Sequence, residues 1–353
     1  MRFFFGKPSA VLLAMTCMFC SCNAPVGTSK PVVPLVRDIL ADRDCPEYGI
    51  LKSCIVPDKY GAVFILGEEN DCEVFSSALL ACDSRDNIRG NYASDGLLDF
   101  SGERICSVVD FAGGDYSSYP VTGLDDSLAT QMVRLSLLAI DTLCYMSPYD
   151  LKGLAEQPRA KIVLLASSFA DTYGMYDVDS LFRASGCGVF VVNPLTEMKK
   201  SAFSEGSTNV GVLAPASNLS SGLYKDCVAF PAARKGKDVL TGFLDSYLDA
   251  GYSKPLDALI VDDYSVDCDS LALSLSRIRS VMNEESILYS PLISEKFRII
   301  DPRRVVCSVC FDILRQDNMF AHRISLPRFE KYMTVRRPEM ILIPYNERYI
   351  ETE

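Results

Sequence analysis

A single histidine, His322, serves the whole chain of 353 residues, so neither a histidine-rich metal site nor a Ser-His-Asp triad on any other histidine can be built. His322 itself, in Met319-Phe320-Ala321-His322-Arg323, reads as a structural or surface side chain. Basic residues are also in short supply. With 35 Lys and Arg against 46 Asp and Glu the net charge is -11, and no Lys/Arg-rich face offsets that total. Nucleic-acid phosphates demand a basic footprint, so a nucleic-acid partner is excluded. No G-x-S-x-G, P-loop or G-x-G-x-x-G pattern occurs, which removes the fingerprints of hydrolases, NTPases and dinucleotide enzymes, and no cofactor is expected. The apolar run Ala10 to Phe19 is about half of the ~20 residues that span a bilayer, so it reads as a cleaved signal and not as an anchor helix.

Cysteine is plentiful, with fourteen in the chain, yet it forms no compact framework. Cys17, Cys20 and Cys22 lie in or behind the N-terminal apolar run. The other eleven are Cys45, Cys54, Cys72, Cys82, Cys106, Cys144, Cys187, Cys227, Cys268, Cys307 and Cys310. Several fall inside apolar patterns and read as buried free thiols. Cys45 and Cys54 flank a loop and are the expected disulfide. Cys307-Ser308-Val309-Cys310 has knuckle spacing, but on an extended segment a separation of three sends the two thiols to opposite faces, and no second pair exists. No metal site is expected.

The hydrophobic share of 48% and charged share of 23% are those of a globular protein, and the length suits two domains. The stretch Asn209 to Asp226 shows the local grammar. Val210, Val212 and Leu213 form a buried-strand run, Pro215 stops it, and Asn218, Ser220 and Ser221 can cap a helix starting near Gly222. Equivalent apolar runs stand at Val63–Gly67, Ile105–Asp110, Lys161–Ser167, Gly188–Pro194, Leu256–Asp263, Ile287–Pro291, Val305–Val309 and Met340–Pro344. Runs that are apolar throughout are strands covered on both faces. Between them, helical periods run over Leu124–Met146, Val178–Ala184 behind Asp177, Val239–Ala250 up to Gly251, and Ser270–Met282. Alternating strands and helices predict an α/β fold of two doubly wound lobes with mainly parallel sheets.

At the N-terminus, Arg2 and Lys7 precede the apolar run, and Ser21 precedes Cys22. This resembles a bacterial lipoprotein signal with Cys22 as the lipidated residue; a plain secretory signal is the alternative. The domain reading is a signal over 1–22, a tether and lead-in over 23–55, lobe 1 over 56–198, a polar connector over 199–207, and lobe 2 over 208–353, with the C-terminal strand returning to lobe 1. Two α/β lobes joined by a connector behind such a signal, with the Ser-Gly-Leu-Tyr-Lys-Asp stretch at 221–226, resemble the type I periplasmic-binding-protein (Venus-flytrap) lipoproteins of Gram-negative envelopes. That resemblance implies a small polar ligand, a sugar, nucleoside or amine, bound between lobes. It also implies a lipid anchor in the membrane, a periplasm-facing location and a transporter as partner.

Ligands of open α/β sheets sit beyond the carboxyl ends of the strands. The candidates there are Glu68, Asn70, Asp110, Asp115, Tyr116, Ser167, Ser168, Asp171, Tyr173 and Asn193 in lobe 1, and Ser217, Asn218, Ser220, Ser221, Asp262, Asp263 and Tyr264 in lobe 2. Hydroxyls, amides, carboxylates and phenols can donate and accept. No catalytic residue is assigned on this reading. Asp, Ser and Asn also follow strands as turn formers and helix caps, the plainer role for each. A second reading is a membrane-tethered hydrolase that gathers Asp86, Asp99 and Glu103 of the long polar segment 85–103 around its substrate. A third is a scaffold with a vestigial cleft.

Overall fold

The computed structural model describes residues 31–204, 206–219, 221–232, 238–280, 284–321, 325–337 and 339–349. The leader with Cys17, Cys20 and Cys22, the tether to Lys30, Ser220 and His322 lie outside the described residues.

The strands of the first half are β1 (Ala62–Gly67), β2 (Arg104–Val109), β3 (Leu143–Ser147), β4 (Asp150–Glu156), β5 (Ala160–Leu165) and β6 (Phe190–Val192). Those of the second half are β7 (Val210–Leu213), β8 (Val228–Phe230), β9 (Leu256–Val261), β10 (Ile293–Ile300), β11 (Arg328–Arg336) and β12 (Met340–Pro344). A six-stranded sheet has the order β12-β11-β2-β1-β5-β6, and a four-stranded sheet the order β10-β9-β7-β8. All pairings within these two sheets are parallel except β11 with β12. β3 and β4 form a separate antiparallel hairpin. The chain is therefore α/β with mostly parallel sheets. Every residue of β1, β5 and β9 is buried, the physical reason that these runs carry no polar alternation.

Capping chemistry sets the helix that backs β7. The Asp238 carboxylate accepts from Leu240 N and Thr241 N, the helix Val239–Asp249 buries Leu240, Phe243, Leu244 and Tyr247, and Gly251 ends it at φ +83°. Full burial of each such side chain contributes roughly 1.5–3 kcal/mol.

Several expected elements differ. Val305–Val309 is not a strand but part of the helix Pro302–Gln316, where Asp301 accepts from Arg303 N and Pro302 occupies the first turn. Cys307 and Cys310 therefore do not diverge across a strand; both are buried on one helix face with Val306, Phe311 and Leu314. Ile287–Pro291 is helical, in Glu284–Tyr289 and the 3-10 turn Ser290–Leu292. The expected helix over Leu124–Met146 stops at Ile140, and Leu143 onwards is β3. Around Gly222 the chain turns, and the short helix Ala216–Leu219 precedes it. Asp177 lies in the first turn of the helix Met175–Ser185 and accepts from Val33 N at 2.7 Å, so it ties down the start of the described chain. Segment 199–207 joins β6 to β7, and its first part completes the helix Pro194–Ser204.

Phe64 and Val163 of the first sheet share one apolar core with Val212 and Ile260 of the second. Sliding the sheets apart would expose that core, which close-packed interiors resist.

Candidate functional site

The carboxyl ends of β1 and β5 in the first sheet and of β7 and β9 in the second open onto one cleft of about 920 Å³. Glu68 follows β1, Ser167 and Ser168 follow β5, Ser217 and Asn218 follow β7, and Asp262, Asp263 and Tyr264 follow β9. Asn70, Asp71 and Val74 come from the helix Glu69–Ala81, Asp115 from the loop after β2, and Arg303 from the start of the helix Pro302–Gln316.

Asp262 is the fixed point. It is 3% exposed, and its carboxylate accepts from Ser168 Oγ at 2.5 Å and from Tyr224 Oη, while Tyr264 Oη lies 3.4 Å from the same Ser168 Oγ. Its backbone N–H donates to Leu213 O at 2.8 Å, which ties the end of β9 to the end of β7. Ser217 Oγ to Asn218 Oδ1 (2.9 Å) and Asn218 Nδ2 to Tyr224 Oη (3.4 Å) extend this chain of polar groups along the second sheet. Burial lifts the Asp262 carboxyl to about 6 against the pull of its hydroxyl donors. Burial, with the neighbouring Asp262 charge, likewise pushes the Tyr224 and Tyr264 phenols up. Both phenols are therefore protonated donors at neutral pH.

Glu68 faces the cleft from the first sheet. Burial raises its carboxyl to about 7, the Tyr116 N–H at 3.4 Å works the other way, and the nearby Asp115 and Asp110 charges add to the rise. Asp71, one helical turn on, is held well above the usual carboxylate range by burial, with Glu68 and Asp262 contributing. It is thus close enough to feel both. Arg303 is the one basic side chain among the described residues that line the cleft, and its guanidinium is anchored by donating to Tyr264 O at 2.8 Å and to Val266 O at 3.5 Å.

Of the residues expected from sequence, Glu68, Asn70, Asp115, Ser167, Ser168, Ser217, Asn218, Asp262, Asp263 and Tyr264 line the cleft. Asp110 and Tyr116 turn inward. The Asp110 carboxylate accepts from Tyr116 Oη (2.8 Å), Thr334 Oγ1 (2.6 Å), Gln131 Nε2 (2.8 Å) and Gly113 N (3.1 Å). That buried knot shapes the loop that presents Asp115 and the Tyr116 N–H. Gly113 is obligatory in it, since a Cβ there would lie 2.1 Å from Asp110 Oδ2. Asn193, fully buried, donates to Leu165 O and Ser167 O and caps the helix behind it through Leu195 N. Asp171 accepts from Thr196 Oγ1 at 2.5 Å, and Tyr173 donates to Ser221 O at 3.0 Å. Sequence reasoning missed Asp71, Glu73, Val74 and Arg303.

The carboxylates of the expected hydrolytic centre do not gather. Asp86 accepts from Ile88 N and Arg89 N within its own turn. Asp99 is buried against Cys82, Ser84 and Arg85. Glu103 stands before β2, at the opposite end of the sheet from the cleft, paired with Lys161 and accepting from Ala321 N at 2.7 Å. The expected Cys45–Cys54 disulfide is also absent: Cys45 Sγ accepts from Tyr48 N at the start of the helix Pro46–Ser53, and Cys54 lies beyond its other end. No three His, Cys, Asp or Glu side chains among the described residues converge as a ligand set for a metal ion.

No protein-family model matches the chain, and no curated protein matches it. Solved structures that resemble it include a glutamate racemase from Francisella tularensis in complex with D-glutamate, 13% identical, covering 78% of this chain and 89% of that one at a TM-score of 0.45. Others are a glutamate racemase isoform from Bacillus anthracis (13% identity, 78% and 90% covered, TM-score 0.47) and an aspartate racemase from Picrophilus torridus (12%, 72% and 93%, TM-score 0.34). These neighbours are racemases, not solute receptors. They overturn the Venus-flytrap resemblance and the solute-binding lipoprotein drawn from it, and they lend no support to a tethered hydrolase.

Proposed function

We propose that the cleft is an acid–base catalytic site that moves a proton on a small substrate, with Glu68 as the group that takes and returns it. The observation that carries this reading is that Glu68, at the end of β1, and Asp262 with its hydroxyl donors, at the end of β9, line one cleft, where burial raises the Glu68 carboxyl to about 7. A group poised near ambient pH is present in both protonation states, the condition under which general acid–base catalysis works best. Asp262, fixed by Ser168 and Tyr224, supplies a preorganised anion on the facing wall, and Tyr264 supplies a phenolic donor. The described residues that line the cleft offer carboxyls and hydroxyls as proton carriers.

Charge selects the substrate class. Glu68, Asp71, Glu73, Asp115, Asp262 and Asp263 line the cleft against Arg303. Such walls favour a substrate bearing an ammonium group and repel a dianion, so the D-glutamate of the Francisella enzyme is not carried over to this chain. The test is hydrogen exchange in D2O at the carbon beside the carbonyl of cationic amino-acid amides, followed by proton NMR. Wild type should wash deuterium in and Glu68→Gln should not. Equal exchange by both proteins across the panel would remove Glu68 from the chemistry.

A further inference from the structure

Two pairs of cysteines, each drawn from parts of the sequence more than a hundred residues apart, meet outside the cleft. Cys54 follows the helix Pro46–Ser53, and its carbonyl accepts from Gly188 N at 2.9 Å, directly beside Cys187. The approach is close enough that a Cβ on Gly188 would lie 2.5 Å from Ile55 O. The Cys187 thiol is thereby set beside Cys54, whose own Sγ donates to Ile140 O at 3.4 Å. The second pair joins two packed helices. Cys82 ends the helix Glu69–Ala81, and Cys307 lies in the helix Pro302–Gln316 packed against it. Both helices cover the same face of the six-stranded sheet in one apolar cluster.

We propose that Cys54 with Cys187 and Cys82 with Cys307 are two modification sites, each oxidised to an intramolecular disulfide by a small-molecule or protein disulfide. In each pair one protein thiolate attacks the oxidant's S–S bond, forming a mixed disulfide and expelling one thiolate. The second protein sulfur then attacks the mixed disulfide, closes the intramolecular bond and expels the second thiolate. Two electrons pass from the protein dithiol to the oxidant, and the two protons end on its two thiols. The neighbouring Cys187 thiol brings Cys54 down to about 6 with Arg159 adding to the effect, and the neighbouring Cys307 thiol lowers Cys82. Cys82 and Cys187 are the half-buried members of their pairs.

The full chain is incubated with oxidised glutathione at mildly alkaline pH, blocked with iodoacetamide without reduction, digested and mapped by mass spectrometry. The expected products are peptides linked through Cys54–Cys187 and Cys82–Cys307, with a melting temperature raised by about 5 °C or more and restored by a reductant, because each link closes a long loop. Cys187→Ser should remove only the first link and Cys82→Ser only the second, each with the circular dichroism of wild type. Complete alkylation of either pair, or its capture in links to other cysteines, would overturn the proposal for that pair.

Discussion

Asp262→Asn isolates the electrostatics of the cleft. The substitution keeps shape and removes charge at a side chain that is 3% exposed. In the wild type the carboxyl is raised from 3.8 to about 6 by burial. The sign follows directly: the folded state binds the proton more tightly than the unfolded state, so the contribution to stability is fully present below about pH 4 and is lost as pH rises through about 6. The gap corresponds to about 3 kcal/mol of stability at pH values well above 6. Asparagine has no charge to desolvate and escapes that loss. It does disturb the network, because its amide offers one oxygen where the carboxylate accepts from Ser168 and Tyr224 on two. One of those hydroxyls must rotate to accept from the amide NH2, which costs about 1 kcal/mol. Near pH 4 the wild-type carboxyl is itself protonated and faces the same rearrangement, so the variant should match wild type there and be more stable by about 2–3 kcal/mol near pH 8. With no tryptophan in the chain, urea unfolding followed by far-ultraviolet circular dichroism is the suitable assay. Stability curves that stay parallel across this range would refute the reasoning.

Lys161→Met leaves Glu103 buried without its partner and should lower the unfolding free energy by about 3–5 kcal/mol in the same assay. A loss within the scatter of surface mutations would show the pair to be dispensable. Asp301→Ala removes the cap of the helix Pro302–Gln316 and should cost about 1 kcal/mol, measured by urea midpoint. Gly113→Ala sets a methyl against Asp110 and should cost at least 1–3 kcal/mol through overpacking; unchanged thermal unfolding would mean that the loop relaxes freely.

The strands buried on both faces were readable because nothing polar interrupts them: β1, β2, β5, β7, β9 and β12 each coincide with an apolar run. β10 and β11 were not. β10 lies at a sheet edge with Glu295 and Lys296 exposed, and β11 opens on the exposed Arg328 and Phe329, so neither shows a continuous apolar stretch. Val305–Val309 misled for the converse reason, since a short apolar run fits a buried strand or a buried helix equally. The Asp301-Pro302 pair ahead of it was the helix signal that could have decided the matter. That error also hid Arg303. In the site, positions after strands were legible because parallel sheets put their carboxyl ends together. Which of them face the cleft depends on long-range partners: Thr334 and Gln131 draw Asp110 inward, and no local pattern records them. Asp71 escaped notice although it adjoins Asn70 after β1, because it lies in the first turn of the helix Glu69–Ala81, where an acidic residue is ordinary.

The central claim concerns Glu68, and the pH dependence of substrate hydrogen exchange tests it most directly. The exchange rate of the wild-type protein should change through an apparent pKa near 7. Glu68→Gln should lose that inflection together with about 100-fold or more of the rate. An inflection near the ordinary glutamate value, or a full rate in the Glu68→Gln protein, would contradict the account.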